Sequence, residues 1–411
     1  MSSLPLEGVR ILDLTMWWSG PICTSYLGAL GAEVIKIESV QLPDGFRYSM
    51  STPGENWWEL GPQFNGANMN KVGITLNLND PEGIALFKDL VTKSDVVIEN
   101  FTPRVMENFG LSYETLCEVN PQIIMMSMPA YGKTGPYRDQ PGFAFTFEIL
   151  SGIAQVNGYR DDNPMVVAGV ADVISGFHAS NALLAALEYK ARTGKGQSVE
   201  VAQVEGCANL MGQPIADFSM NGRNWGRMGN RQPNMSPHGI YRSKGDDTWV
   251  ALAVTTEDEW QRFCNVIGNP SWTTDTRFQT MDGRCEHQSE LDQLVENWTK
   301  ELKNEEITNV LQKSGVSAGP VLHVDEIAEA PYLKDMFQTV SREFTGTQDF
   351  PTWPVKFSEQ RLEHQTPAPT LGQHNEYVLK GILELTEERI VSLKENDIIG
   401  DMPLTARKKI K

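Results

Sequence analysis

Short apolar runs alternate with helix-length segments through the first half of this chain, and few folds can bury such a pattern. Val9-Arg10-Ile11-Leu12-Asp13-Leu14 reads as a buried strand, Ser19-Gly20-Pro21 opens a helix that runs to Leu30-Gly31, and residues 32–38 read as the next strand. A helix over residues 81–92 then precedes a strand at 95–99, and a helix over 113–119 precedes a strand at 122–128. A helix between two strands carries the chain back along the sheet, so the strands run parallel. The predicted fold class is therefore α/β, with a parallel sheet covered by helices. Ligands of such sheets sit beyond the carboxyl ends of the strands, which places residues 15–20, 100–104 and 129–135 around a binding site.

The texture changes after Glu200-Val201. Residues 221–233 form a loop of glycines, amides and arginines and mark a domain boundary. A strand at 248–254 with helical stretches over 258–267 and 290–311 predicts a smaller α+β domain. Turn-rich residues 349–370 read as a long connection, followed by a terminal helix over 376–393.

Val167-Ala168-Gly169-Val170-Ala171-Asp172-Val173-Ile174-Ser175-Gly176-Phe177-His178 sets one carboxylate at the mouth of an apolar helix. Ile174, Phe177, Leu184 and Leu187 recur near helical spacing, and Thr193-Gly194-Lys195-Gly196 supplies a stop. Asp172 is then expected just before the first turn, where free backbone N–H groups and the helix dipole keep it ionised. An ionised carboxylate can attack an activated acyl carbon. Local sequence alone accounts for Asp172 equally well as a helix cap.

With 411 residues the chain has room for two or three domains. Its formal net charge of -18 argues against a nucleic-acid partner and would be repelled by an anionic membrane. Uncharged stretches stay short of membrane-spanning length and the start lacks a signal-peptide pattern, so no membrane association and a cytoplasmic location are expected. The five cysteines lie far apart and the six histidines show no ligand spacing, which predicts neither disulfides nor a metal.

Missing motifs narrow the chemistry. No Gly-x-Gly-x-x-Gly follows the first strand, and neither a phosphate-binding Gly-Lys-Ser/Thr nor a Gly-x-Ser-x-Gly elbow occurs. The pairs Trp17-Trp18 and Trp57-Trp58 suit either a core or the wall of an apolar acyl pocket. Gly226 and Gly229 suit a mobile loop with N–H groups free to meet an oxyanion, or a simple turn.

Taken together, Gly31-Ala32-Glu33-Val34-Ile35-Lys36-Ile37-Glu38, Asn70-Lys71, Glu99-Asn100-Phe101, Tyr131-Gly132-Lys133-Thr134-Gly135-Pro136, Gly229-Asn230-Arg231 and Ala368-Pro369-Thr370-Leu371-Gly372-Gln373-His374 resemble the class III CoA-transferases. This is the carnitine and bile-acid-inducible family that includes formyl-CoA transferase. The resemblance implies that Asp172 is the nucleophile, forming a mixed anhydride and then an aspartyl-CoA thioester. It implies coenzyme A, delivered as acyl-CoA, held by Lys71, Asn100, Phe101 and Arg104, with the Gly229 loop covering the intermediates. It also implies a Rossmann-like large domain over residues 1–205, a small domain at 225–330 and a return to the large domain at 345–411. The same likeness implies an interlocked dimer, either a homodimer or a heterodimer with a homologous subunit.

Three departures from the family pattern shape the expected substrate. Trp18 stands where formyl-CoA transferase has a glutamine, so an indole replaces an amide donor and a bulky acyl group is favoured. Gly142-Phe143-Ala144 lacks the acid many relatives carry, leaving Glu148, one helical turn on, as the nearest carboxylate. No histidine lies near Phe143, which argues against the related racemases. The expected activity is transfer of CoA from a donor such as succinyl-CoA to a hydrophobic or aromatic acid such as benzylsuccinate, with Trp17 and Trp18 lining the substrate pocket. The alternative is a non-catalytic subunit of a heteromeric transferase.

Overall fold

The computed structural model describes residues 4–167 and 169–410, so Met1, Ser2, Ser3, Ala168 and Lys411 lie outside the described residues. The chain forms two compact units. The first takes the residues up to Ala154, Val166–Arg223, and everything from Asp335 onward; the second takes Gln155–Met165 and Asn224–Lys334.

The first unit is built on a six-stranded sheet. Strands β1 (Arg10–Asp13), β2 (Glu33–Glu38), β3 (Lys71–Thr75), β4 (Val96–Glu99), β5 (Ile124–Ser127) and β6 (Gln197–Glu200) lie in the order β3-β2-β1-β4-β5-β6. Every pair is parallel, with Leu12 level with Ile35 on one side and Val97 on the other. Successive side chains leave a strand on opposite faces, so each strand feeds two cores. Leu12, Ile35 and Val97 pack with Phe87 and Leu90 of the helix Pro81–Thr92 and with Val378 and Leu393 of the C-terminal segment. Ile11, Val34 and Val96 pack with Leu27 of the helix Ser19–Ala29 and Leu183 of the helix Val170–Thr193.

From β1 the chain winds outward to β3, then returns to place β4 beside β1. The loops after β1 and β4 therefore part in opposite directions and leave a crevice at the carboxyl end of the sheet. The outer strand β3 is closed off by the C-terminal segment: Gly73 N–H donates to His374 Nδ1 at 3.0 Å, and Thr75 N–H donates to Asn375 Oδ1 at 2.8 Å. Pairing an edge in this way removes a row of free backbone groups.

The helix Val170–Thr193 is, among the described residues, the one helix long and apolar enough to cross a membrane by length and composition. Its small residues Ala171, Ser175, Gly176, Ala179 and Ser180 are buried. At Gly176 a β-carbon would meet Ser19 O at 2.6 Å, so the apolar length reflects close packing on the helix Ser19–Ala29.

Two helices expected from periodicity are interrupted. The terminal helix expected over 376–393 ends at Ile382 as a π-helical segment, Glu384 turns left-handed at φ +57°, and the Thr386 hydroxyl caps a new helix, Glu387–Glu395. In the second unit the stretch expected over 290–311 is two helices, Gln288–Thr299 and Asn304–Lys313. The second starts where Glu306 accepts from Lys303 N–H at 3.0 Å. The second unit otherwise packs those helices and Trp260, Phe263 and Cys264 on an antiparallel sheet of β7 (His238–Arg242), β8 (Trp249–Ala253) and β9 (Ser317–Val321). Residues 335–351, not assigned a strand from sequence, form a hairpin of β10 (Phe337–Arg342) and β11 (Gly346–Pro351) in the first unit.

Candidate active site

The crevice between β1 and β4 is shaped by buried charges beneath it. Asp13, at the end of β1, accepts from Thr15 N–H at 2.9 Å, from the Thr24 hydroxyl at 2.7 Å and from Lys71 Nζ at 2.9 Å. Burial pushes its carboxyl upward, but Lys71, Lys36 and the hydroxyl donors overcome this and hold it at about 2. Lys36 Nζ in turn donates to Thr15 O and to Asp44 Oδ2. Asp44 Oδ1 accepts from both Trp17 N–H and Phe46 N–H at 3.0 Å. Trp17 is thereby held at φ +66°, in the left-handed region, with its ring on the surface of the crevice.

Asn100, just past β4, closes the crevice floor from the other side. Its Oδ1 accepts from Met16 N–H at 2.9 Å and its Nδ2 donates to Met16 O at 2.8 Å, so the two loops are tied across the gap. Aromatic rings line the walls. Trp17 meets Phe46 edge-on at 5.8 Å and Phe143 edge-on at 5.4 Å, and Trp18 lies 6.4 Å from Phe46.

Asp172 lies within the first turn of the helix Val170–Thr193, which begins after Gly169. The expectation of a carboxylate just before the first turn is thus corrected in its position. Desolvation raises the Asp172 carboxyl, the nearby Glu148 charge raises it further, and it stands at about 6 instead of the ordinary 3.8. At pH 7 it is still about ten to one ionised. Glu148 is fully buried, and its two oxygens accept from Val167 N–H at 2.6 Å and Gly169 N–H at 3.1 Å. The Val167 and Gly169 N–H groups that lead into the helix are therefore engaged by Glu148 and not by Asp172.

Asp172, Trp17, Trp18, Asn100 and Phe101 come together around a cavity of about 420 Å³, with Phe46, Phe143, Phe145, Phe147, Gly169 and Gln203. Among the described residues, Asp172 is the one charged side chain in that lining. Among the residues singled out from sequence, Lys71 is corrected: it is 2% exposed, and Nζ already donates to Asp13, Pro21 O and Asn68 Oδ1. An ammonium with three donors has none left for coenzyme A. Arg104 is exposed on the short helix Pro103–Asn108 and does not line the cavity. Gly229 lies in the second unit, where its N–H donates to Gly158 O at 2.8 Å, so the expected free donor is occupied. Trp57 and Trp58 pack with Tyr48 and Leu371 away from the cavity. Phe46 and Gln203 were not singled out from sequence. The Asp44-Gly45 turn signal before Phe46 was the available clue to the first.

Residues 6–375 match the family described as CoA-transferase family III. The chain belongs to that family. As a CoA-transferase of this family it acts on CoA thioesters. It is 33% identical over 411 residues to a succinyl-CoA–D-citramalate CoA-transferase of Chloroflexus aurantiacus, covering 96% of this chain and 98% of that protein. It is 30% identical over 383 residues to a succinate–glutarate CoA-transferase of Agrobacterium fabrum, covering 91% and 95%. The solved structure of a CAIB/BAIF family protein from Brucella suis superposes with a TM-score of 0.85 at 29% identity, covering 93% of this chain and 100% of that one.

Proposed function

We propose that this CoA-transferase moves CoA from succinyl-CoA to a hydrophobic or aromatic carboxylic acid of the benzylsuccinate type, with Asp172 as nucleophile. The donor assignment is supported by the succinyl-CoA-dependent relatives, and the acceptor assignment by the cavity. The carrying observation is that lining: Trp17, Trp18, Phe46, Phe101, Phe143, Phe145 and Phe147 surround one ionisable carboxylate. An apolar acid body gains by burial there.

In the reaction, an Asp172 oxygen attacks the donor thioester carbon and expels CoA thiolate, giving a mixed anhydride. The thiolate attacks the Asp172 carbonyl of that anhydride, releasing succinate and leaving an aspartyl-CoA thioester. The acceptor carboxylate attacks the same carbonyl and expels thiolate again; the thiolate then attacks the acceptor's acyl carbon and frees Asp172. Two thioester exchanges balance with no net proton. The aromatic walls keep water from the anhydride and thioester. Glu148 holds the loop that leads into the Asp172 helix, and Arg104 and Phe101 meet the CoA moiety.

The test is to mix the enzyme with succinyl-CoA, quench with hydroxylamine or borohydride, and map modified peptides by mass spectrometry. Modification at Asp172 is expected, and turnover with an unmodified Asp172 peptide would overturn the assignment. Assaying the purified chain by itself separates a complete enzyme from one subunit of a heteromer.

A further inference from the structure

Gln203 opens the helix Gln203–Leu210 and lines the Asp172 cavity while being only 5% exposed. Its Nε2 donates to Met128 O at 3.0 Å, just past β5. A carbonyl oxygen only accepts, so this bond fixes which end of the amide faces it. The other end, Oε1, is buried and has no hydrogen-bond partner. Gln63, on the same cavity, likewise has a buried Oε1 without a partner. Asn100 is different, because its amide is spent on Met16 and Ser19. The two glutamine amides thus turn unpartnered acceptors toward this aromatic cavity, beside a carboxylate. A buried acceptor without a donor is unfavourable, and one built into a ligand cavity is complementary to a ligand that brings the donor.

We infer that Gln203 is a specificity-determining residue whose Oε1 accepts a hydrogen bond from an O–H or N–H group of the bound substrate. This rests on the reading of the cavity as the acyl site. The donor has two possible sources of one chemistry: a hydroxyl on the acid itself, or an amide N–H of the pantetheine arm. A site that hydrogen-bonds a substrate donor discriminates strongly against the analogue lacking it, since the buried acceptor is then stranded.

Gln203→Met keeps the side-chain length and removes the acceptor, and a thermal melt establishes that the variant is folded. The reading compares kcat/KM for matched aryl acids with and without a hydroxyl, and for an acyl-CoA against its S-ethyl thioester. A hydroxyl source predicts that the native enzyme prefers the hydroxylated acid about ten- to a hundredfold and that the variant loses this preference. A pantetheine source predicts no such preference, with the variant losing about tenfold or more on acyl-CoA and nothing on the S-ethyl thioester. Equal loss on every substrate, or no loss on any, overturns the inference. Exchange that still labels Asp172 in that case leaves the proposed function standing, whereas an unlabelled Asp172 removes the reading beneath it.

Discussion

The indole of Trp18 rests against Gly169, so close that a β-carbon on Gly169 would meet Trp18 Cζ3 at 2.6 Å. Gly169 also stands at φ +114°, a conformation that side-chain-bearing residues avoid, and its N–H is held by Glu148. One residue thus links the pocket wall, the buried glutamate and the start of the Asp172 helix.

Gly169→Ala is expected to lower stability by about 1–3 kcal/mol through backbone strain and the clash with the indole. Exchange activity should fall with it, because the helix start carrying Asp172 must shift. Thermal denaturation and kcat for acyl transfer check this. Adding Trp18→Ala should relieve the clash and leave the φ strain, so only part of the stability returns.

The raised Asp172 carboxyl makes a pH statement of fixed sign. Attack requires the ionised form, so kcat/KM for the donor should fall tenfold per unit below about pH 6. Stability moves the opposite way. The folded protein holds this proton more tightly than the unfolded chain, so the contribution is complete below about 3.8 and is lost as pH rises through about 6. Asp172→Asn should therefore be inactive by at least ~10³-fold, yet more stable than the native protein at pH 7. Denaturant titrations at pH 4 and pH 7 measure the difference; equal stability gaps at both pH values would contradict it.

Glu148→Gln removes a like charge from beside Asp172 while keeping one acceptor for the two N–H groups. The acid limb of the rate profile should move below pH 6, part of the way toward 3.8, since desolvation remains the larger cause. A second effect is a lower kcat, because an amide N–H now faces a backbone donor. A pH profile with an unmoved acid limb would mean that the two carboxylates do not feel one another.

These relationships were unevenly visible in the sequence. β1, β2, β4 and β5 announced themselves through short runs of large apolar residues, Ile11-Leu12, Val34-Ile35, Val96-Val97-Ile98 and Ile124-Met125-Met126, that feed both cores. β3 and β6 were missed: Lys71-Val72-Gly73-Ile74-Thr75 carries a charge and a glycine, and Gln197-Ser198-Val199-Glu200 alternates at an edge. Asp172 was legible as a residue and misplaced by a turn, because Gly169 rather than the carboxylate begins the helix. Glu148 reaches backbone groups 19 and 21 residues away, and Lys71 reaches Asp13 across 58, so no local pattern records either bond.

Lys71 illustrates the consequence of that long reach. A lysine at a strand end in a CoA enzyme invites a phosphate contact, yet here the ammonium completes a buried ion pair. Lys71→Met would strand Asp13 and should lower stability by about 3–5 kcal/mol. Chemical denaturation detects this directly. A variant of native stability whose only defect is a raised KM for acyl-CoA would return Lys71 to the ligand.

Trp18 bears most directly on which acid is accepted. Its ring forms a wall of the cavity beside Phe46. Trp18→Gln exchanges roughly a whole aromatic side chain of burial for an amide donor, so aryl acids should lose about ten- to a hundredfold in kcat/KM. Short polar acids lose nothing from the missing ring and gain a donor for their oxygen atoms. Competition between an aryl acid and a short dicarboxylic acid, measured as product ratio in one vessel, removes any general loss of activity from the comparison. The ratio should move toward the dicarboxylic acid. An unchanged ratio in a folded variant would show that the acyl body does not lie against this indole, and the hydrophobic acceptor class would lose its physical basis.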